Sequence, residues 1–374
     1  LNGTWEFEID HGASGQERKL YELDHLASQI EVPFCPESKL SGVAYTDFMA
    51  SVWYRRTFQV PQTWSGQRVL LHFGAVDYDC AVWVNEVEVG THRGGSSSFT
   101  FEITKALQPG ENVVVVNALD DTRSLLQPLG KQSYDYYSHN CNYTRTTGIW
   151  QTVWLEPVPT TFLERPRLTP DLDNGCLHIQ QRVNGPANGL RLEARAFAEG
   201  HQAATGTCWV NGGWACLTLK MDTVRAWCPQ DPFLYDLYLK LVRETADQQE
   251  IVDSAYAYFG LRSVDIKGLA VLLNGEPVYQ RLVLDQGFYP DGIWTAPSDD
   301  ELRLDIERGQ AMGFNGARLH QKVFEERYLC WCDRFGYLVW GEFPSWGIDA
   351  TEPEATVRYA TEWQDVLERD YNHP

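Results

Sequence analysis

Asp285, Gln286, Arg318, His320, Gln321, Glu342 and Trp346 are the residues of this chain whose types could act together on one polar molecule. Carboxylate, imidazole and guanidinium groups hold or move protons and charge, amides hydrogen-bond in two directions, and an indole offers a stacking face. Spacing is what joins them. Arg281-Leu282-Val283-Leu284 runs into Asp285-Gln286, Gly316-Ala317-Arg318-Leu319 into His320-Gln321, and Leu338-Val339-Trp340-Gly341 into Glu342. Trp346 follows in the loop Phe343-Pro344-Ser345-Trp346-Gly347.

Each run is short and apolar with polar residues at its end, and the stretches between have helical character. Ser298-Asp299-Asp300-Glu301 is a capping-box sequence, in which the hydroxyl and the Glu carboxylate satisfy free amides at a helix start. The helix it opens should end by Gly313. A second fits Glu325 to Arg334 and stops near Gly336. A third fits Glu354 to Tyr371, with Tyr359, Trp363, Val366 and Asp370 repeating one face. Strand alternating with helix is the grammar of a parallel sheet with right-handed crossovers. We therefore expect residues 263–374 to be the first part of a (β/α)8 barrel, whose reactive groups gather where strands end.

Plainer roles stand beside these. Arg318 could only neutralise a buried carboxylate, His320 could be a hydrogen-bonded structural group, and Glu342 could orient other residues. Their joint placement at three successive strand ends is what raises them.

Upstream the pattern is all-β. In residues 1–159, Trp53 to Val60, Val69 to Phe73, Ala81 to Val84 and Val113 to Val116 are short, β-branched and aromatic runs. Asn85-Glu86, Gly94-Gly95 and Pro109-Gly110 punctuate them. Many short strands imply a sandwich. Pro157, Pro159, Pro166 and Pro170 mark a linker. Residues 160–262 then read as a second β-region of immunoglobulin-like size, with strands at Leu177–Val183, Leu190–Ala198, Thr207–Val210, Leu234–Val242 and Ile251–Tyr258.

A net charge of −20 and the lack of a basic patch exclude nucleic acid as a partner. No apolar run approaches the ~18 residues of a membrane span. Nine cysteines without a disulfide or paired zinc spacing read as reduced thiols, which favours a cytoplasmic setting. The chain opens on Leu1 in a strand-like segment, so export is not readable. Most of the 14 Trp should fill sandwich cores, although exposed Trp also stacks on sugar rings. Nucleophile-elbow, P-loop, dinucleotide and H-E-x-x-H motifs are missing.

The order sandwich, immunoglobulin-like sandwich, barrel resembles glycoside hydrolase family 2, the β-galactosidase and β-glucuronidase family. Trp53-Tyr54-Arg55-Arg56-Thr57-Phe58, Val82-Trp83-Val84-Asn85 and Gly148-Ile149-Trp150 look like its jelly-roll sugar-binding domain. Trp227 to Tyr235 with Phe259-Gly260-Leu261-Arg262 look like its second domain, and Gly313 to Gln321 with Asn372-His373-Pro374 like its barrel. The resemblance implies retaining, β-galactosidase-like hydrolysis of a terminal β-linked glycoside by two glutamates about 5 Å apart, with galactose, glucuronic acid and mannose all open as the sugar. In the family both lie beyond the Asn-His-Pro word, so both are expected beyond Pro374, no residue here is given a catalytic role, and the chain alone is expected to be inactive.

Binding residues carry over one by one. Asp285 and Gln286 occupy the first-strand position facing the glycone, and Arg318 matches an arginine of the second strand. His320-Gln321 departs from the Ser-His of many β-galactosidases, which puts galactose specificity in doubt. The loop Ser138 to Arg145 corresponds to one that reaches the active site, with Asn142 near a position where relatives place an Asp. Some members use Mg²⁺, yet no ligand set assembles in this sequence and no cofactor is expected. The expected partner is a carbohydrate substrate, with a homo-oligomer compatible. A second reading is a non-catalytic carbohydrate-binding protein of β-sandwiches, against which three βα units argue.

Overall fold

The computed structural model describes residues 1–244 and 248–374, and their elements fall into three successive groups. The first is antiparallel throughout. Six strands run in the spatial order Ser28–Val32, Gly3–Ile9, Ser51–Gln59, Glu111–Leu119, Asp79–Val84 and Val87–Arg93. A three-stranded sheet of Val153–Val158, Arg68–Phe73 and Phe99–Glu102 lies against it. Inward residues of both sheets, among them Trp5, Tyr54, Val82, Leu71 and Phe73, form one core. The outer face of the larger sheet is covered too, where Trp53 stacks on Trp83 beside Leu20 and Leu26. The Asn85-Glu86 turn holds φ of 49° and 66°, the positive pair that a two-residue hairpin needs to match strand twist.

The second group is again a pair of antiparallel sheets. One joins Phe162–Leu163, Cys176–Asn184, Arg167–Asp171 and Trp214–Lys220; the other joins His201–Trp209, Leu190–Ala198, Tyr235–Glu244 and Gln249–Phe259. Leu190, Leu192, Ala194 and Ala196 alternate inward along their strand, facing Leu177, Ile179 and Leu219 of the opposite sheet. The strand Trp214–Lys220 was not expected from its sequence, and the one expected at Thr207–Val210 runs from His201 to Trp209.

A small antiparallel sheet (Val264–Lys267, Ala270–Leu273, Glu276–Pro277) precedes the third group, which is parallel. Its strands Leu282–Asp285, Gly316–Leu319 and Leu338–Gly341 lie side by side in that order. Helices α1 (Asp299–Ala311) and α2 (Glu326–Phe335) connect them, and α3 (Pro353–Asp370) follows. Val283, Ala317 and Leu319 meet Leu302, Ile306, Tyr328 and Cys332 of α1 and α2. On the other face Leu284, Arg318 and Trp340 stand in register, with Leu284 50% and Trp340 51% exposed.

Helix ends follow local chemistry. Ser298 Oγ accepts from Glu301 N at 3.3 Å, but the Glu301 carboxylate turns to Arg308, so only half of the expected capping box forms. Gly336 ends α2 at φ 66°, and any Cβ there would lie 2.6 Å from the Pro229 carbonyl oxygen. On α3, Tyr359 and Val366 join Phe343 as the helical periodicity predicts, while Trp363 remains 43% exposed.

Three hinges of contact tie the groups together. Ser96 of the first sandwich receives Glu362 and Arg369 of α3 on its N–H and carbonyl. Asn372 spans Pro166 O and Leu168 N at the start of the second sandwich. Asp333 accepts from Tyr258 OH and pairs with His373.

Candidate functional site at the parallel strand ends

The ends of the parallel strands bring most of the expected residues together. Arg318 Nε pairs with one oxygen of Glu342, whose other oxygen accepts from Gln321 N at 3.3 Å. Gln321, at φ 59°, is buried and directs its amide at the next loop. Its Oε1 accepts from Ser345 N (2.9 Å) and Trp346 N (3.1 Å), and its Nε2 donates to Ser345 Oγ (3.0 Å). One side chain thus fixes the position of the Trp346 backbone. The Trp346 ring meets His320 in a T-shaped contact with centroids 6.4 Å apart. Gln286 Nε2 lies 3.5 Å from His320 Nδ1, and Gln286 Oε1 is buried without a partner among the described residues.

Burial lowers the His320 pKa, opposed by Glu342 and reinforced by Lys131 and Arg318, which favours the neutral imidazole. A neutral imidazole beside an unpartnered amide oxygen and a half-exposed indole offers donors, acceptors and a stacking surface in one place. Such a set can hydrogen-bond and stack against a polar molecule.

Asp285 and Asn142 do not take the positions expected of them. Strand alternation sends Asp285 to the face of Val283, and its partner in register is the buried Leu319. It accepts from Gly287 N at 2.8 Å and so shapes the turn behind Gln286 instead of presenting itself beside Arg318. Asn142 turns its side chain to His139, 3.4 Å away.

The loop that carries Asn142 nevertheless reaches the strand ends through its neighbours. Leu129 N and Gly130 N both donate to Trp346 O, and Lys131 Nζ lies 3.4 Å from the centroid of the Trp346 ring. Tyr143 sets its ring 4.5 Å from Phe288, just past the first parallel strand. A buried polar network holds the stems of this loop. Gln132 bridges Asp77 Oδ2 (2.9 Å) and Thr146 N (2.7 Å), and Asp120 takes Gln127 Nε2 (2.7 Å) and Thr147 Oγ1 (3.0 Å). Burial pushes the carboxyls of Glu37 and Asp120 up to about 8 and about 6, and that of Asp77 upward as well.

Lys131 and Lys322 were missed in the sequence. Lys322 is buried behind Gln321, where Nζ donates to Gly287 O (2.6 Å) and Trp294 O (2.7 Å), and burial pulls its pKa down to about 8. It ties the first strand-end loop to the second. Its position directly after His320-Gln321 was the one local signal for it; for Lys131 the sequence carried none.

Residues 1–159 match the family model described as the sugar binding domain of glycosyl hydrolases family 2. Over its whole length the chain is 27% identical to a β-glucuronidase of Paenibacillus borealis, of which it covers 65%. It is 26% identical to a β-galactosidase of Thermoanaerobacter pseudethanolicus, with 95% of this chain and 48% of that protein aligned. A β-glucuronidase from Ruminococcus gnavus, solved with D-glucuronic acid, superposes on the whole chain with a TM-score of 0.82 at 21% identity, 64% of that structure being covered. The chain therefore spans less than two thirds of the length of these relatives.

Proposed function

We propose, from the premise that this chain belongs to glycosyl hydrolases family 2, that it forms the N-terminal part of a retaining β-glycosidase and supplies one wall of its glycone site. In this reading the first two groups are the family's jelly-roll and immunoglobulin-like sandwiches. The parallel strands are the opening of its (β/α)8 barrel. Gln286, Arg318, His320, Glu342 and Trp346 bind the sugar. The acid/base and nucleophilic glutamates belong to the part of the relatives that this chain does not match.

The observation that carries the proposal is the meeting of the first sandwich with the parallel strand ends. Lys131 and Gly130 of the one hold Trp346 of the other. A loop that crosses from a β-sandwich to steady a half-exposed indole fits a composite sugar site, because binding residues placed by rigid elements lose little freedom on occupation. Gln321, whose N–H donates to Glu342, fixes the Trp346 backbone from the barrel side before any ligand arrives.

We infer β-glucuronides ahead of β-galactosides as substrates. The relatives support it, and so do two cations at the rim, Arg318 and Lys131, on a chain whose net charge is −20. A uronate carboxylate would compete with Glu342 for Arg318, exchanging one charged hydrogen bond for another.

The test is a panel of nitrophenyl β-glycosides offered to the protein of the complete reading frame. The expected order is glucuronide above galactoside above mannoside, with no turnover by residues 1–374 alone. Turnover by that shorter chain, or inertness of the longer protein toward every β-glycoside, would overturn the proposal. In the longer protein Trp346→Ala is expected to raise KM by roughly tenfold with a smaller change in kcat, the mark of binding that ground and transition states share.

A further inference from the structure

We propose that Asp171, Cys176 and His178 in the second sandwich form a binding site for a divalent transition metal of the zinc class. The three stand on one hairpin. Asp171 ends the strand Arg167–Asp171, Cys176 begins Cys176–Asn184 directly opposite it, and His178 is two residues further along the same face. One ligand atom from each lies within 4.8 Å of the others. His178 Nε2 is 3.6 Å from Asp171 Oδ2 and 4.0 Å from Cys176 Sγ. Tetrahedral zinc, with bonds of about 2.0–2.3 Å, holds such atoms roughly 3.3–3.6 Å apart, so His178 is nearly placed while Asp171 and Cys176 must close by up to about 1 Å through side-chain rotation.

The orientation of each group favours this use. His178 Nδ1 lies 2.9 Å from Thr218 Oγ1 on the neighbouring strand, which leaves Nε2 to face the other two residues. Asp171 is held by Asn174, whose N–H and Nδ2 donate at 3.0 and 2.8 Å, so its carboxylate is set before a metal comes. Cys176 is buried while the His178 side chain is partly exposed, giving the site one closed side and one open side. The open side gives onto a cleft of about 520 Å³ that also holds Thr169, Tyr371 and His373, where water could complete the coordination. A thiolate, an imidazole and a carboxylate select zinc or cobalt over magnesium or calcium, and binding would release the Cys176 thiol proton to solvent.

A bound metal would also brace the strand that grips the end of α3. Thr169, paired in register with His178, lies 2.9 Å from Tyr371 OH, and Leu168 N donates to Asn372 Oδ1 at 2.9 Å. The site is separate from the strand-end cluster, so its test does not depend on glycosidase activity.

The experiment is titration of the reduced 374-residue chain with Co²⁺ alone, followed by Zn²⁺. Expected is a sulfur-to-cobalt charge-transfer band in the near ultraviolet that saturates at one equivalent and is erased by Zn²⁺. Cys176→Ser should abolish the band, His178→Ala should weaken binding at least about tenfold, and Thr218→Val should weaken it by roughly 10–100-fold by freeing the imidazole. Cys216→Ser, which removes an exposed thiol on the adjacent strand, should leave the band intact. His178 and Thr218 lie toward the surface, so their variants keep the question answerable if Cys176→Ser folds poorly. No charge-transfer band in the parent chain, a band that survives Cys176→Ser, or equal affinity of the parent and His178→Ala would each overturn the assignment.

Discussion

The first sandwich and the parallel sheet bury their residues in opposite ways. In the sandwich both faces of the six-stranded sheet are covered, one by the shared core and one by the Trp53–Trp83 cluster. In the parallel sheet only one face is covered, by α1 and α2, and Leu284, Arg318 and Trp340 stand on the other. Parallel sheets are stable when both faces are covered, because their backbones and apolar side chains have no side suited to water. The difference teaches that the two regions differ in completeness of cover more than in sequence. Leu71 and Leu284 are the same residue type in strands of similar character, yet one is wholly buried and the other half exposed.

The sharpest test of that contrast is a core truncation. Leu71→Ala in the sandwich is expected to cost about 2–5 kcal/mol, read as a shifted urea midpoint by tryptophan fluorescence. A cost below about 1 kcal/mol would mean that the sandwich core is as loosely covered as the sheet.

Carboxyl groups are also buried at the seam where α3 meets the covered sandwich. Burial pushes the Glu362 carboxyl up to about 8, with Oε1 accepting from Ser96 N and Oε2 unpartnered among the described residues. Between pH 5 and 8 the native state therefore holds a proton that the unfolded chain has released. Stability contributed here must fall as pH rises through that window. Glu362→Gln keeps the shape without the titration, so its stability should decline less from pH 5 to 8 and should exceed that of the parent chain at pH 8. Parallel pH profiles for the two proteins would show that α3 does not dock on the sandwich through a neutral carboxyl.

A smaller effect is expected within the open region. Gln321→Ala frees the amides of Ser345 and Trp346, and loss of these part-buried hydrogen bonds is worth about 0.5–1.5 kcal/mol each. Local loosening should appear first as faster hydrogen exchange at Ser345 and Trp346. Unchanged protection there would mean that Leu129 and Gly130, not Gln321, hold the loop.

Legibility in the sequence followed the range of the forces involved. Helix ends were readable because caps act over four residues: Ser298 opens α1 and Gly336 closes α2 where their chemistry says. The three parallel strands were readable as short apolar runs between helices. Strand-end residues followed from them, so Gln286, His320 and Glu342 fall close together. Asp285 shows the limit. The rule that strand ends carry the site says nothing about which face an end residue takes, and alternation turns Asp285 toward the helices. Lys131 was beyond reach altogether, since it gains its place from Trp346, more than two hundred residues away in sequence. Glu37, Asp77 and Asp120 are likewise scattered along the chain and meet only when the sandwich closes. The small sheet of residues 264–277 was missed because its strands are two to four residues long, too short for a period to register.

The smallest effect is the most discriminating. Leu284→Ala in the 374-residue chain removes a half-exposed side chain, and its cost should stay within about 0.5 kcal/mol. In a protein as long as the relatives, which the proposed function requires, the same substitution should cost about 2–5 kcal/mol if further strands close over that face. The residue and its neighbours Arg318 and Trp340 are identical in the two backgrounds, so only cover can produce a difference. Equal small costs in both would leave the face open in the longer protein and would remove the barrel from the proposed function. Equal large costs would instead show that the shorter chain covers Leu284 by pairing with itself, which sedimentation would reveal as a dimer.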